Sequence, residues 1–261
     1  MKHSGFSLVE LSIVLVILGL LTGGILAGQS LIRASELRAI MTDANKYISS
    51  AQAFRDRYAA YPGDFRDGTK YWGRMNSNAD CVTNSGQAVN ATSGVCDGNG
   101  DWQINFAAGG GQSGEYVQFW RQLQKAGYIE GNFSGVDITG GSGGESQAGF
   151  NAPATKMANG VWGVHYQGVY AGSANWQYAG DWGTLLNVGI SASGWGDGPL
   201  LKPAEAYNID KKMDDGAPGT GKVIANNIAV CANAASVTDY NSTYTVSYTS
   251  PACALYFIKA F

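Results

Sequence analysis

The order of elements along the chain predicts an α+β protein: one long helix first, then an irregular stretch, then strands. Three observations carry this. The only membrane-length apolar run lies at 6–28. A stripe of apolar residues at helical spacing continues from it. Beyond Pro62 the chain turns into loops, one short helix and several strand candidates.

The apolar run reads FSLVELSIVLVILGLLTGGILAG. A run of ~20 residues or more is long enough to cross a bilayer as a helix. Lys2 precedes it, so the positive-inside rule leaves the short N-terminus in the cytoplasm and exports the remainder. An ordinary signal peptide has an apolar stretch of only about 7–15 residues and a small-residue cleavage site. The end of this run fits such a site loosely, and one acid, Glu10, stands just inside its start. A carboxylate near the centre of a membrane helix costs ~2.5–3.5 kcal/mol, less near an end, which makes Glu10 a functional candidate.

Past Gly28 the period changes. Leu37, Ile40, Met41, Ala44, Tyr47, Ile48, Ala51, Phe54 and Tyr58 recur at spacings of three and four, one face of an amphipathic helix. Glu36, Arg38, Asp43, Lys46, Asp56 and Arg57 take the other sides, and Pro62-Gly63 ends the pattern. A continuous helix from Phe6 to Ala60 would be ~80 Å long. Its stripe is short for a coiled coil and lacks regular flanking charge pairs, so it is expected to pack on the chain's own head.

The segment Asp64 to Gly114 is rich in Asn, Ser and Gly, and a helix is expected from Glu115 to Ala126, closed by Gly127. Gly140 to Gly144 reads as a flexible loop. Strands are expected at Gly160 to Tyr170, Thr184 to Ile190, Val223 to Cys231, Tyr244 to Tyr248 and Leu255 to Ile258.

Charged residues make up 14% of the chain and the net charge is −3, without the basic footprint that nucleic-acid binding leaves. Four cysteines fall as two pairs, Cys81 with Cys96 and Cys231 with Cys253. An even count beyond an exported hydrophobic segment points to disulfides, and no pair has the spacing of zinc ligands. Gly216-Ala217-Pro218-Gly219-Thr220-Gly221-Lys222 matches a phosphate-binding loop through its lysine, but Val223 stands where Ser or Thr would hold magnesium. No buried strand precedes it, so it reads as a turn and no nucleotide is expected. Gly140 to Gly144 matches a nucleophile elbow only formally, with no helix after it. His165 is the one histidine besides His3 and reads as a strand residue. No enzymatic activity is expected. Two acidic clusters could take calcium, a hard ion that prefers oxygen ligands: Asp97, Asn99 and Asp101 at alternate positions, and Asp210, Asp214 and Asp215. Their alternative is a solvated turn.

The stretch Lys2-His3-Ser4-Gly5-Phe6-Ser7-Leu8-Val9-Glu10 resembles the cleavage and methylation motif of type IV prepilins and type II secretion pseudopilins. That resemblance implies a leader at 1–5, cut between Gly5 and Phe6 by a membrane-embedded prepilin peptidase that methylates the Phe6 amine. It implies a transmembrane assembly helix at 6–28, an amphipathic continuation at 29–61 and an extracytoplasmic head at 62–261. Glu10 would pair with the amine of a neighbouring subunit and set the register of assembly. The implied fold is pilin-like, the long helix packed on an antiparallel sheet, and Cys231 with Cys253 lies where a family disulfide encloses the C-terminal loop. Part of the helix unwinds in some family fibres, and Gly23-Gly24 is the place expected here. YPGDF at Tyr61 to Phe65 and FWRQLQKAGYIEG at Phe119 to Gly131 also resemble segments of large prepilin-type proteins.

The function expected is a structural subunit, minor or specialised in view of its large head, of a type IV pilus or type II secretion pseudopilus. Its partners would be the prepilin peptidase, other pilin subunits, and the bacterial inner membrane with its assembly platform. No cofactor is required beyond the calcium the acid clusters could take. The rival reading is a membrane-anchored extracytoplasmic enzyme or carbohydrate-binding protein, which would need neither the Gly5-Phe6 junction nor Glu10.

Overall fold

The computed structural model describes residues 7–75, 94–105, 114–137, 146–173, 176–190 and 196–261. Helix α1 spans Leu8–Tyr58, 51 residues or about 77 Å of rise. It begins with a reciprocal cap. The Ser7 N–H donates to Glu10 Oε2 at 2.9 Å, and the Val9 N–H donates to Ser7 Oγ at 3.3 Å. It ends at Ala59 in left-handed backbone, whose N–H donates to the Arg55 carbonyl at 2.8 Å. The helix is continuous through Gly19, Gly23 and Gly24.

The two halves of α1 differ as the change of period predicts. Leu8, Leu20 and Leu31 are 86%, 73% and 72% exposed, so the head leaves this greasy half bare. Ile40, Ala44, Tyr47, Ala51 and Phe54 are buried in the main core, and Leu37, Met41, Ile48 and Tyr58 pack at its edge.

The head adds α2 (Gly68–Trp72), α3 (Glu115–Lys125), β1 (Gly160–Tyr166), β2 (Val169–Tyr170), β3 (Gly180–Asp181), β4 (Thr184–Ile190), α4 (Pro203–Met213), β5 (Val223–Asn226), α5 (Ile228–Cys231) and β6 (Ala254–Ile258). Four strands form an antiparallel sheet in the order β1-β4-β6-β5, and β2 pairs with β3 in a separate ribbon. Register sets the two faces, because side chains alternate along a strand. Trp162, Val164, Leu186, Val188, Val223, Leu255 and Phe257 join the core shared with α1 and α3. Leu185, Ile224, Tyr256 and Ile258 form a second cluster with Tyr178, Trp182 and Ile228. Tyr47 of α1 meets Trp120 of α3 edge-on at 5.1 Å and Trp162 of β1 at 5.4 Å, so one side chain joins three elements. The Cys231–Cys253 disulfide is formed and ties α5 to the residue before β6. Cys96 is buried, and its expected partner Cys81 lies outside the described residues.

Several elements differ from the sequence reading. The strand expected at Val223 to Cys231 stops at Asn226. Asn227 adopts φ 63, a left-handed backbone that Asn tolerates, and turns the chain into α5. Tyr244 to Tyr248 is a turn with one bridge, Ala232 to Tyr244. The strand expected at Gly160 to Tyr170 divides into β1 and β2 around Gln167-Gly168. Helix α4 was not expected. Its start carries ordinary signals, Pro203 in the first turn and Glu205 at the third position, but Lys211-Lys212 and Asp214-Asp215 obscured its apolar face.

Candidate functional site

The Gly5-Phe6 junction lies outside the described residues. Glu10 is exposed on the first turn of α1, where its carboxylate accepts the Ser7 N–H. The bare apolar helix that follows is long and apolar enough to cross a membrane.

Just beyond that half, Arg33 fastens the helix to the head. Its Nε and Nη2 donate to Glu205 Oε1 and Oε2, each at 2.6 Å, and its Nη1 donates to Glu36 Oε2 at 3.0 Å. This is a two-pronged guanidinium–carboxylate pair. Glu205 also accepts the Lys202 N–H, at the start of α4. Burial pushes the Glu205 carboxyl up, but Arg33 and Lys202 together outweigh it and hold the group below the usual range. The Arg33 guanidinium is correspondingly raised, chiefly by its bond to Glu205.

In the head, two groups of acids organise loops. Asp64 and Glu115 are both buried. Asp64 accepts the N–H groups of Gly100, of Asp101 at 3.1 Å and of Trp102 at 2.8 Å. Glu115 accepts those of Asn99 at 3.0 Å and Asn105 at 2.8 Å. Burial pushes the Glu115 carboxyl up to about 8, against its two amide donors, and raises Asp64 as well. Asp101 completes this group, with one oxygen of each of the three carboxylates within 4.8 Å of the others. Asp97 instead turns to α2, accepting the Thr69 N–H at 2.6 Å and the Thr69 hydroxyl at 2.7 Å. Asn99 donates from Nδ2 to Asp101 at 2.9 Å. The structure therefore brings Asp101 to Asp64 and Glu115, a grouping across distant sequence that local spacing does not reveal.

Asp210, Asp214 and Asp215 do come together, again within 4.8 Å. Asp210 is buried, accepting the Tyr244 hydroxyl at 2.7 Å and the Gly216 N–H at 3.1 Å. Burial pushes it up to about 7. Asp214 accepts the Lys222 and Val223 N–H groups, and Asp215 accepts the Ala217 N–H at 2.8 Å and the Thr220 hydroxyl at 2.6 Å. These donors belong to the segment that resembles a phosphate-binding loop. The Gly216, Ala217 and Lys222 amides of that segment already serve the protein's own carboxylates.

His165 is wholly buried in β1, its Nε2 2.9 Å from Gln167 Oε1. Burial lowers it to about 4, so it is neutral at pH 7. The Gly140 to Gly144 run lies outside the described residues.

No curated protein and no solved structure matches this chain. Residues 1–26 match the family model described as the prokaryotic N-terminal methylation motif. The chain thus carries at its N-terminus, on a helix suited to a single membrane crossing, the signature of a type IV pilin-like or pseudopilin-like processed subunit.

Proposed function

We propose that this protein is a minor or specialised subunit of a type IV pilus or type II secretion pseudopilus. The prepilin peptidase cuts between Gly5 and Phe6 and methylates the new Phe6 amine. The subunit waits in the inner membrane with its head exported, then joins other subunits on an assembly platform through α1. The observation that carries this reading is the methylation motif running into a helix half that the head leaves bare. Such a surface needs either lipid or neighbouring helices to cover it. A simple anchor would need only the first. Mass spectrometry of the protein from its native membrane should find N-methylated Phe6 at the terminus. An intact Met1, or a terminus near Gly28, would overturn the proposal.

The head's acid groups are further proposed to take one calcium ion, at Asp210, Asp214 and Asp215 or at the Asp101 end of the Asp97, Asn99 and Asp101 loop, where Asp64 and Glu115 would join it. The raised carboxyls make a test through pH. Folded Glu115 titrates near 8 and Asp210 near 7, both above ordinary unfolded carboxylates. The folded state therefore binds more protons than the unfolded state between about pH 4 and 8, and stability falls as pH rises through that window. With chelator, the melting temperature of the full chain in detergent should drop between pH 5 and pH 8. Calcium favours the ionised carboxylates that burial disfavours, so millimolar calcium should raise the midpoint at pH 8 and flatten the slope. A ligand at a hundredfold excess over its Kd adds ~2.7 kcal/mol. Midpoints that coincide with and without calcium would leave these groups as amide-bound turns without an ion.

A further inference from the structure

The C-terminal end of α1, at the opposite end of the helix from Glu10, borders an open cleft of about 310 Å³. Tyr58, Phe65 and Trp102 line it with aromatic rings and Arg66 supplies a guanidinium, while Asp64 lies buried beside it with its carboxylate taken up by backbone amides. The Trp102 side chain is 53% exposed, and its backbone sits at φ 66. Left-handed backbone is unfavourable for a bulky side chain, and an outlier of this kind calls for a reason. The chain holds Trp102 there deliberately. Asp64 accepts its N–H at 2.8 Å, and the buried Glu115 fixes the loop on both sides of it, at Asn99 and Asn105. Tyr61 meets the indole edge-on at 5.4 Å and fixes its plane. Two buried carboxylates and a strained residue are thus committed to presenting one tryptophan to solvent, where it adds little to the core.

We propose that this cleft binds one neutral pyranose ring of a glycan, stacked on Trp102. A pyranose is amphipathic in the way the cleft is: its C–H face suits a flat indole, and its hydroxyls can accept from the Arg66 guanidinium. Stacking on the indole needs no ligand charge, and the carboxylate beside the cleft is already committed to backbone amides. The volume lies at the small end of ligand pockets, ~300–1,000 Å³, and so accommodates a single ring rather than a peptide or a helix. The cleft lies far along α1 from the bare apolar half. This inference rests on the head alone and stands whether or not the chain assembles as proposed above.

The test is saturation-transfer NMR on the full chain in a zwitterionic detergent that carries no sugar. The probes are the methyl pyranosides of glucose, galactose, mannose and N-acetylglucosamine, with methyl glucuronide and glucosamine as charged controls. At least one neutral pyranoside should receive saturation on its ring protons, more strongly than either control. Trp102→Gly should weaken that binding tenfold or more. Glycine suits the left-handed backbone, so this variant should melt no lower than the wild type, and binding is compared below both midpoints. The proposal is overturned if no neutral pyranoside is saturated, if only the charged probes are, or if Trp102→Gly binds as the wild type does.

Discussion

Glu10→Gln is expected to insert in the membrane normally and yet be missing from sheared fibres, falling at least about a hundredfold in incorporation. The structure makes Gln the informative substitution. Glu10 caps its own helix, accepting the Ser7 N–H while Ser7 accepts that of Val9. A Gln at that position can keep the same reciprocal cap, since either residue completes the motif. What it removes is the charge. Insertion should if anything improve, because an ionised group no longer enters the apolar layer. Assembly should suffer, because the amine left on Phe6 by cleavage would then lack its carboxylate in a neighbour. Leaving one buried charge unpaired costs about 3–5 kcal/mol, and every 1.4 kcal/mol is a factor of ten. Glu10→Ala removes cap and charge together and should be no better. Quantifying the subunit in membranes and in sheared fibres, by immunoblot, decides the matter. If Glu10→Gln assembles as the wild type and only Glu10→Ala fails, capping is the role of this residue and the pairing idea is lost.

What could be read from the sequence was what repeats at short range. The change from an all-round apolar helix to one with a single stripe is written in every third or fourth residue, and Ile40, Ala44, Tyr47, Ala51 and Phe54 are buried accordingly. Helix α3 and strand β4 carried equally local patterns, and both lie where they were expected to within a residue. Cys231 and Cys253 were paired by their positions as well as by resemblance, and they are bonded. The failures are long-range. Nothing beside Arg33 announces Glu205, which lies in an unexpected helix. The sequence placed Glu115 only at the start of a helix, where an acid is favourable beside the helix dipole. Its burial and its two amide partners depend on a loop folding back from 99–105, which periodicity does not encode. The strand expected at Tyr244 to Tyr248 failed for a related reason. Its alternating Tyr and Val residues satisfy a strand pattern, but Tyr244 is turned inward to donate to Asp210, and Val246 and Tyr248 are left exposed.

Replacing both Cys231 and Cys253 by Ala should lower the melting temperature of the full chain by roughly 6–12 °C. The bond closes a loop with a sequence separation of 22. In the chain-entropy treatment a loop of that size restricts the unfolded state by about 3 kcal/mol. For a domain of 150–250 residues each kcal/mol is worth about 2–4 °C. Both sulfurs are fully buried, so the double replacement also leaves unfilled space, which acts in the same direction. The location adds weight. The Cys253 carbonyl accepts the N–H groups of Leu200 and Leu201, each at 2.9 Å, immediately before the interior strand β6. Losing the bond therefore loosens the entry to the centre of the sheet as well as the loop from 232 to 252. That loop has independent attachments, the Ala179 N–H on the Val237 carbonyl at 2.9 Å and the Tyr244 hydroxyl on Asp210 at 2.7 Å. If these alone held it, circular-dichroism melts of the wild type and the double variant would differ by less than about 2 °C, and the disulfide would then have no structural role worth the name. Adding Tyr244→Phe to the double variant separates the two supports: the combined loss should exceed that of the disulfide alone, because the hydroxyl that partners the buried Asp210 is gone.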